Sequence, residues 1–187
     1  MSKLTETYVA PPSLVLGKRL NRRVPEADQI RQRAEVDEVL RRFRRQPGLI
    51  LADEVGMGKT YVALGVAYSI AAQSPRGPVI LMVPANLIDK WLQDLKNFAE
   101  LYLDNRRVVD RAAVEPKDLK DPDCLRYGVA RHSVELLRLL DDPRRERCQF
   151  IFLAQGAMGR RQSDKWIRLA LIAEALRSHG RGKAARL

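Results

Sequence analysis

The hydrophobic positions of this chain form two kinds of pattern. Short, continuous apolar runs are typical of parallel strands buried in a sheet, and they predict strands at residues 49–51, 79–83 and 149–153. Elsewhere apolar residues recur at three- and four-residue spacings, which predicts helices over residues 27–45, 62–73 and 87–98. Strand, helix, strand and helix follow one another through short connections. We therefore expect an α/β fold with a parallel sheet flanked by helices.

The remaining stretches carry weaker patterns. Residues 1–25 are basic and punctuated by prolines, so we expect an irregular lead-in that either touches nucleic acid or forms a mobile arm. One domain follows over residues 26–187. Asn86, after Pro84, is placed to cap the helix that follows the second strand. Further along we expect a strand, a loop and two helices, at residues 107–109, 115–123, 129–140 and 164–178.

A loop with two glycines follows the first apolar run and leads into a helical pattern. Glycines at 56 and 58 can take positive φ and turn backbone N–H groups toward phosphate oxygens, and the helix adds its positive N-terminal end. Lys59 suits the β- and γ-phosphates, and the Thr60 hydroxyl suits Mg²⁺. The order predicts a P-loop for ATP or GTP formed by Gly56, Met57, Gly58, Lys59 and Thr60. The alternative is an ordinary strand-to-helix turn.

Charge and composition narrow the class of partner. The chain has 34 Lys and Arg against 23 Asp and Glu, a net charge of +11, which favours a polyanion such as nucleic acid. Solvated faces or an arginine-rich source composition would give the same balance. No apolar run is long enough for a membrane span, and no secretory signal is visible. The two cysteines, Cys124 and Cys148, are expected to be thiols without a functional role. We therefore expect a cytoplasmic protein of bacterial type that can associate with the nucleoid.

Three stretches together resemble the Swi/Snf-type helicase-like ATPases of helicase superfamily two. Residues 51–60 resemble that family's motif I, in which Asp stands where the generic P-loop has its first Gly, as Asp53 does here. Residues 79–95 resemble motif Ia. Residues 32–36 resemble the family's Gln-containing segment, in which Gln reads the adenine edge; Gln32 takes that position, and Gln29 is a rival on the same helix face. The resemblance implies an N-terminal RecA-like lobe that binds ATP and Mg²⁺.

The same resemblance implies contacts with DNA, duplex DNA in preference to RNA. Pro84 and Asn86 in motif Ia are candidates, as are Arg160 and Arg161 beyond the last predicted strand. The turn after that strand, residues 154–158, departs from the family's Thr-Tyr pattern, which places DNA contact there in question. A plain solvated pair is the alternative for the two arginines.

Hydrolysis by this machinery needs an acidic pair at the end of a later strand. The apolar run that precedes Asp53 and Glu54 already serves the P-loop, and Asp37-Glu38 lies within a predicted helix. No catalytic residue is therefore predicted. We expect an N-terminal portion truncated before the acidic motif, a fragment or one piece of a split protein whose second lobe is a separate chain, that binds ATP without turnover. The alternatives are a non-catalytic ATP- or DNA-binding module and another P-loop protein, such as a small-molecule kinase or a GTPase.

Overall fold

The computed structural model describes residues 8–18, 24–52, 56–74, 77–157 and 172–173. Its helices are α1 (Glu26–Arg42), α2 (Lys59–Ala71), α3 (Ile88–Tyr102) and α4 (Ser133–Asp141). Its strands are β1 (Val79–Val83), β2 (Arg107–Asp110), β3 (Cys124–Ala130) and β4 (Phe150–Ala154). Short 3₁₀ turns occupy Ala85–Leu87 and Arg111–Ala113. Within these ranges no helix has both the length and the apolar character that a membrane crossing requires.

The four strands form one parallel sheet in the order β1-β4-β3-β2. Val79 pairs with Phe150, and Tyr127 on the other side of β4 pairs with the same residue. The last strand in sequence thus lies inside the sheet, and all five of its residues are buried. The parallel α/β architecture predicted from the hydrophobic pattern is confirmed, and it is consistent with the expected, incomplete RecA-like lobe.

Helices cover both faces of β4. Phe150 and Phe152 point into a large core shared with α1, α2 and α3, whereas Ile151 and Leu153 point into a smaller core beneath α4. This alternation explains why β4 reads as a continuous apolar run: neither face meets water. Each fully buried side chain of this size contributes about 1.5–3 kcal/mol to folding.

Residues 8–18 are irregular, as predicted, but they are packed against the domain. Leu14 and Leu16 are completely buried in the large core, and Leu14 forms an antiparallel bridge with Leu103. The Ser13 hydroxyl lies 2.5 Å from that of Tyr68, and Arg33 donates a hydrogen bond to the Leu14 carbonyl at 3.0 Å. This part of the lead-in is therefore not a mobile arm, while a domain boundary after residue 25 stays a prediction.

Two predictions about strands are wrong. Residues 49–52 are not in a strand, and Ile50 is 89% exposed. The four strands of the described sheet pair only with one another, so this run has no neighbouring strand with which to form hydrogen bonds. β1 forms as predicted but is not buried on both faces. Ile80 and Met82 are 43% and 60% exposed, since β1 is an edge strand and the described helices cover one of its faces.

The region after residue 84 differs from prediction in two further places. Asn86 does not cap α3, because it lies inside a 3₁₀ turn and Leu87 holds the N-cap position. The helix predicted from Val129 begins only at Ser133, and the preceding residues form β3, a strand that the hydrophobic pattern did not show. The short strand, loop and final strand are confirmed at β2, residues 115–123 and β4. The helix predicted over residues 164–178 lies outside the described residues, apart from 172–173.

Candidate nucleotide site at the start of helix α2

The predicted P-loop glycines adopt the backbone conformation that their role requires. Gly56 has φ of 92°, and Gly58, the N-cap of α2, has φ of 77° and ψ of 24°, in the left-handed region. These two positions turn the chain so that Lys59 and Thr60 form the start of α2. Residues 53–55 lie outside the described part of the chain.

The start of α2 is electrostatically suited to an anion. The first-turn N–H groups of any helix lack intrahelical acceptors, and the helix dipole places about half a positive charge there. The first turn of α2 contains no acidic residue that would offset this charge, and it begins with Lys59. The last residue of α2, Ala71, lies beside residues that precede β1 and β4, so this end of the helix is at the amino edge of the sheet. The first turn of α2 therefore lies toward the carboxyl edge.

Gln32 lies directly against the loop. Its side chain, on α1, is only 3% exposed, and a Cβ added to Gly58 would overlap its amide nitrogen and come within 3.0 Å of its amide carbon. The amide oxygen Oε1 is buried and finds no hydrogen-bond partner within the described ranges. A side-chain amide with an unsatisfied acceptor therefore stands beside the backbone that would hold phosphates.

Gln29, the rival position, is engaged elsewhere. Its side chain is completely buried, and Nε2 donates a hydrogen bond to the Val24 carbonyl at 2.7 Å. That carbonyl belongs to the segment that leads into α1. The two glutamines, which the sequence could not separate, thus face different neighbours: Gln32 contacts the P-loop and Gln29 contacts the start of its own helix.

Arg31 connects α1 to the loop and was not predicted as a site residue. Its Nη2 donates a hydrogen bond to the Met57 carbonyl at 2.7 Å, and its Nη1 lies 2.5 Å from Glu35 Oε1. Asp28 is a second, more distant carboxylate partner, at 3.5 Å. Arg31 is one of four arginines on α1 and one of two that adjoin Gln32, so the sequence alone does not single it out.

The side chains present fit a magnesium–phosphate complex better than a protein-built metal site. No group of three or more His, Cys, Asp or Glu side chains suited to a metal occurs in the described residues. Magnesium bound with a nucleotide typically takes one or two protein ligands, several waters and phosphate oxygens. Thr60, in the first turn of α2, is the hydroxyl that could take part.

The candidate nucleic-acid residues lie at another part of the carboxyl edge. Pro84 and Asn86 are exposed in the turn between β1 and α3. This turn is close to the one that follows β4, because Gln155 N–H donates to the Val83 carbonyl at 2.6 Å. Arg160 and Arg161 lie outside the described residues.

Comparison with known proteins finds a family model that matches slightly less than half of the chain. Residues 31–119 match the model of the SNF2-related domain. The matched stretch begins one residue before Gln32 and contains the P-loop, β1, α3 and β2. No solved structure matches the chain significantly.

Individual relatives match over shorter stretches. The chain is 41% identical over 46 residues to the mouse (Mus musculus) SWI/SNF-related matrix-associated actin-dependent regulator of chromatin subfamily A containing DEAD/H box 1, a match that covers 25% of this chain and 4% of that protein. It is 33% identical over 76 residues to RNA polymerase-associated protein RapA of Pseudomonas aeruginosa (strain LESB58), covering 39% and 8%. A zebrafish (Danio rerio) chromodomain-helicase-DNA-binding protein 1-like is 34% identical over 57 residues, covering 30% and 6%. The matches thus span less than a tenth of each relative.

Gly58→Ala is expected to destabilise the chain more than Gly56→Ala does. Both glycines have positive φ, where a side chain costs about 1–2 kcal/mol. A Cβ at position 56 meets nothing within 4 Å, whereas one at position 58 overlaps the buried Gln32 amide. We expect an additional loss of about 1 kcal/mol in the free energy of unfolding, measured by denaturant titration.

Double variants provide a control for the two glycine substitutions. If the extra loss comes from Gln32, adding Gln32→Ala to Gly58→Ala will restore part of it, while adding Gln32→Ala to Gly56→Ala will not. Equal destabilisation by the two glycine substitutions would show that Gln32 does not rest on the loop.

Proposed function

Since residues 31–119 belong to the SNF2-related domain family, we propose that this helicase-like ATPase module binds Mg²⁺-ATP at the start of α2 and acts on DNA. The phosphates lie in the loop formed by Gly56, Met57, Gly58, Lys59 and Thr60, and Gln32 reads the adenine. The observation that carries this proposal is the contact between Gln32 and Gly58, which brings two sequence-distant parts of the nucleotide site together. The family match does not favour a small-molecule kinase or a GTPase.

The backbone at the start of α2 supports the binding of phosphates. Two positive-φ glycines and the open N-terminus of a helix direct N–H groups toward one place, and Lys59 adds a full positive charge. When bound, Mg²⁺ would supply charge neutralisation of the β- and γ-phosphates, with the Thr60 hydroxyl as its protein ligand. Arg31, by holding the Met57 carbonyl, limits the freedom of the loop.

The base preference follows from the chemistry of an amide. A glutamine side chain presents one donor and one acceptor side by side, which matches the adenine N6 amino group and N7. Guanine presents two acceptors, O6 and N7, at the same edge, so the amide oxygen would meet another oxygen. The unsatisfied Oε1 of Gln32 is the acceptor that this pairing requires.

The DNA part of the proposal rests on charge and on the relatives. A net charge of +11 favours phosphate-backbone contacts, and two of the relatives are described by name as chromatin or DNA-binding proteins. Pro84 and Asn86 at the carboxyl edge, with Arg160 and Arg161 further along the chain, are the proposed contacts. Backbone contacts of this kind position a duplex without reading its sequence.

Turnover needs groups beyond those described. Within the described ranges no strand ends in the Asp-Glu pair that would hold Mg²⁺ and position the attacking water. We therefore propose that hydrolysis depends on two further elements: a strand that ends in this acidic pair, and a second lobe, in the same protein or as a separate chain, that completes the site around the phosphates.

Lys59→Ala is expected to abolish ATP binding by the chain. The substitution removes the charge that contacts the β- and γ-phosphates and leaves the first turn of α2 a good helix former. Calorimetric titration with Mg²⁺-ATP measures the loss. Lys96→Ala, on the exposed side of α3, removes the same charge elsewhere and should leave the affinity unchanged. An unaltered ATP affinity in Lys59→Ala would refute the site assignment.

Gln32→Ala is expected to reduce the preference for ATP over GTP by about tenfold or more, the effect of losing one paired amide. Gln29→Ala is the matched control, because it removes the same side chain one helical turn away. That variant should lose stability, since Val24 loses its partner, but should keep the base preference. If Gln29→Ala changes the preference and Gln32→Ala does not, the adenine-reading position is shifted by one turn.

DNA affinity is expected to fall steeply with salt. If six or more phosphates are contacted, the association constant should fall about a thousandfold between roughly 50 and 200 mM salt. Titration of two duplexes of unrelated sequence, and of one RNA duplex, at several salt concentrations measures this slope. A flat response would show that the positive charge of the chain has another purpose, and a preference for the RNA duplex would contradict the choice of DNA.

A further inference from the structure

A second, separate cleft lies at the opposite end of α2. It has a volume of about 270 Å³, and its lining includes Ala71 at the end of α2 and Gly77 before β1. Since α2 has 13 residues, the cleft is about 20 Å from the P-loop. The charged residues of its lining are all basic: Arg126 on β3, and Arg144 and Arg147 before β4. Ser74, Cys148 and Gln149 complete the lining.

The three arginines of this cleft have no carboxylate partner in the described part of the chain. Arg126 is only 8% exposed, and its guanidinium donates to two backbone carbonyls, those of Arg147 at 3.2 Å and Asp118 at 3.4 Å. Arg147 likewise donates to a backbone carbonyl, that of Asp142, at 3.0 Å. Arg144 is exposed and forms no ion pair with another described residue.

The nearby carboxylates are engaged with other arginines. The Asp118 carboxylate pairs with Arg107. Asp142 and Glu146 both pair with Arg111, at 2.8 and 2.9 Å. Arg107 and Arg111 each meet two carboxylates, since Arg107 also pairs with Asp121, but in the described part of the chain none of these four carboxylates forms an ion pair with a guanidinium group of the cleft. A nearly buried cation without an anion is costly, and a bound anion would remove that cost.

Two other groups near the cleft do not cancel its charge. The C-terminal end of α2 carries about half a negative charge, which is small against three guanidinium groups. Cys148 also lines the cleft, but burial raises the pKa of its thiol to about 11, so that the thiol is neutral at physiological pH. Three guanidinium groups that lack a direct carboxylate partner in the described part of the chain therefore favour an anion in the cleft.

We propose that this cleft is a binding site for a phosphate or diphosphate group of a small molecule, distinct from the nucleotide site. Guanidinium groups hold phosphate oxygens through paired N–H donors. Arg126 is too recessed for the backbone of a duplex to reach, and the cleft volume lies just below that of pockets for drug-sized ligands. A small phosphorylated group fits both limits.

The test uses sodium pyrophosphate and sodium phosphate as probes, in calorimetric titrations of the full chain that carries Lys59→Ala. That background removes binding at the P-loop, and the result does not depend on whether the P-loop binds ATP. We expect saturable binding of pyrophosphate to this variant. Adding Arg144→Gln should weaken it by about tenfold, since a charge-assisted hydrogen bond is lost.

Arg145→Gln is the matched control. Arg145 is the next residue, is equally exposed and does not line the cleft, so that its substitution changes the net charge identically. The pyrophosphate affinity of the Lys59→Ala chain that also carries Arg145→Gln should stay within about twofold of that of Lys59→Ala alone. Arg126→Lys, which keeps the charge and loses the paired donors, should also weaken binding while the circular dichroism spectrum stays unchanged.

Three outcomes would overturn the proposal. The first is the absence of saturable binding of either probe to Lys59→Ala. The second is equal weakening by Arg144→Gln and Arg145→Gln, which would show attraction by net charge alone. The third is a short DNA duplex that binds in an Arg144-dependent manner while pyrophosphate does not bind, which would make the cleft a nucleic-acid backbone contact.

Discussion

The close approach of helices α1 and α2 determines where the candidate nucleotide site lies. Two glycines of α2, Gly58 and Gly65, are about two turns apart and face α1. A Cβ at position 65 would come within 2.8 Å of Val36, and one at position 58 would overlap Gln32. Gln32 and Val36 are themselves one turn apart on α1. The two helices therefore approach most closely at two points where the α2 side of the contact has no side chain, and that packing places Gln32 beside the loop.

Because the groups proposed to hold the phosphates and to read the base come from different helices, the candidate site depends on the packing of the fold. The loop supplies backbone donors, but the amide beside it comes from α1, and Arg31 fixes the loop carbonyl from the same helix. A change that separates the helices would remove the amide and release Met57 together. The α1–α2 contact thus contributes both to the stability of the fold and to the proposed recognition of nucleotide.

The two ends of α2 are proposed to bind anions for different physical reasons. At its first turn the helix dipole, the open N–H groups and Lys59 act in the same direction. At its last turn the dipole opposes an anion, and attraction depends on arginines that β3 and the segment before β4 supply. What makes those arginines available is that Arg107 and Arg111 occupy the neighbouring carboxylates. The distribution of ion pairs, more than the net charge, thus decides where an anion can bind.

The hydrophobic pattern predicted the elements that bury the same face, or both faces, along their whole length. β4 is buried on both faces and α3 has one buried side, so that periodicity suffices to find them. β3 was missed because Arg126 and Gly128 interrupt its apolar run. Both have structural reasons that periodicity cannot show: Arg126 lines the second cleft, and Gly128 allows Leu139 of α4 to pack within 2.8 Å of where a Cβ would stand.

The remaining differences arise where the outcome depends on partners distant in sequence. An apolar run such as residues 49–51 becomes a strand only beside another strand, and its composition says nothing about that neighbour. The glycine turn before α2 was predictable because local chemistry determines it: a positive φ favours glycine. That this turn holds phosphate through its N–H groups and Lys59 stays a prediction. Gln29 and Gln32, by contrast, occupy the same helix face with the same chemistry. Only the packing of α1 against α2 separates a glutamine that holds the Val24 carbonyl from one whose amide rests on the loop.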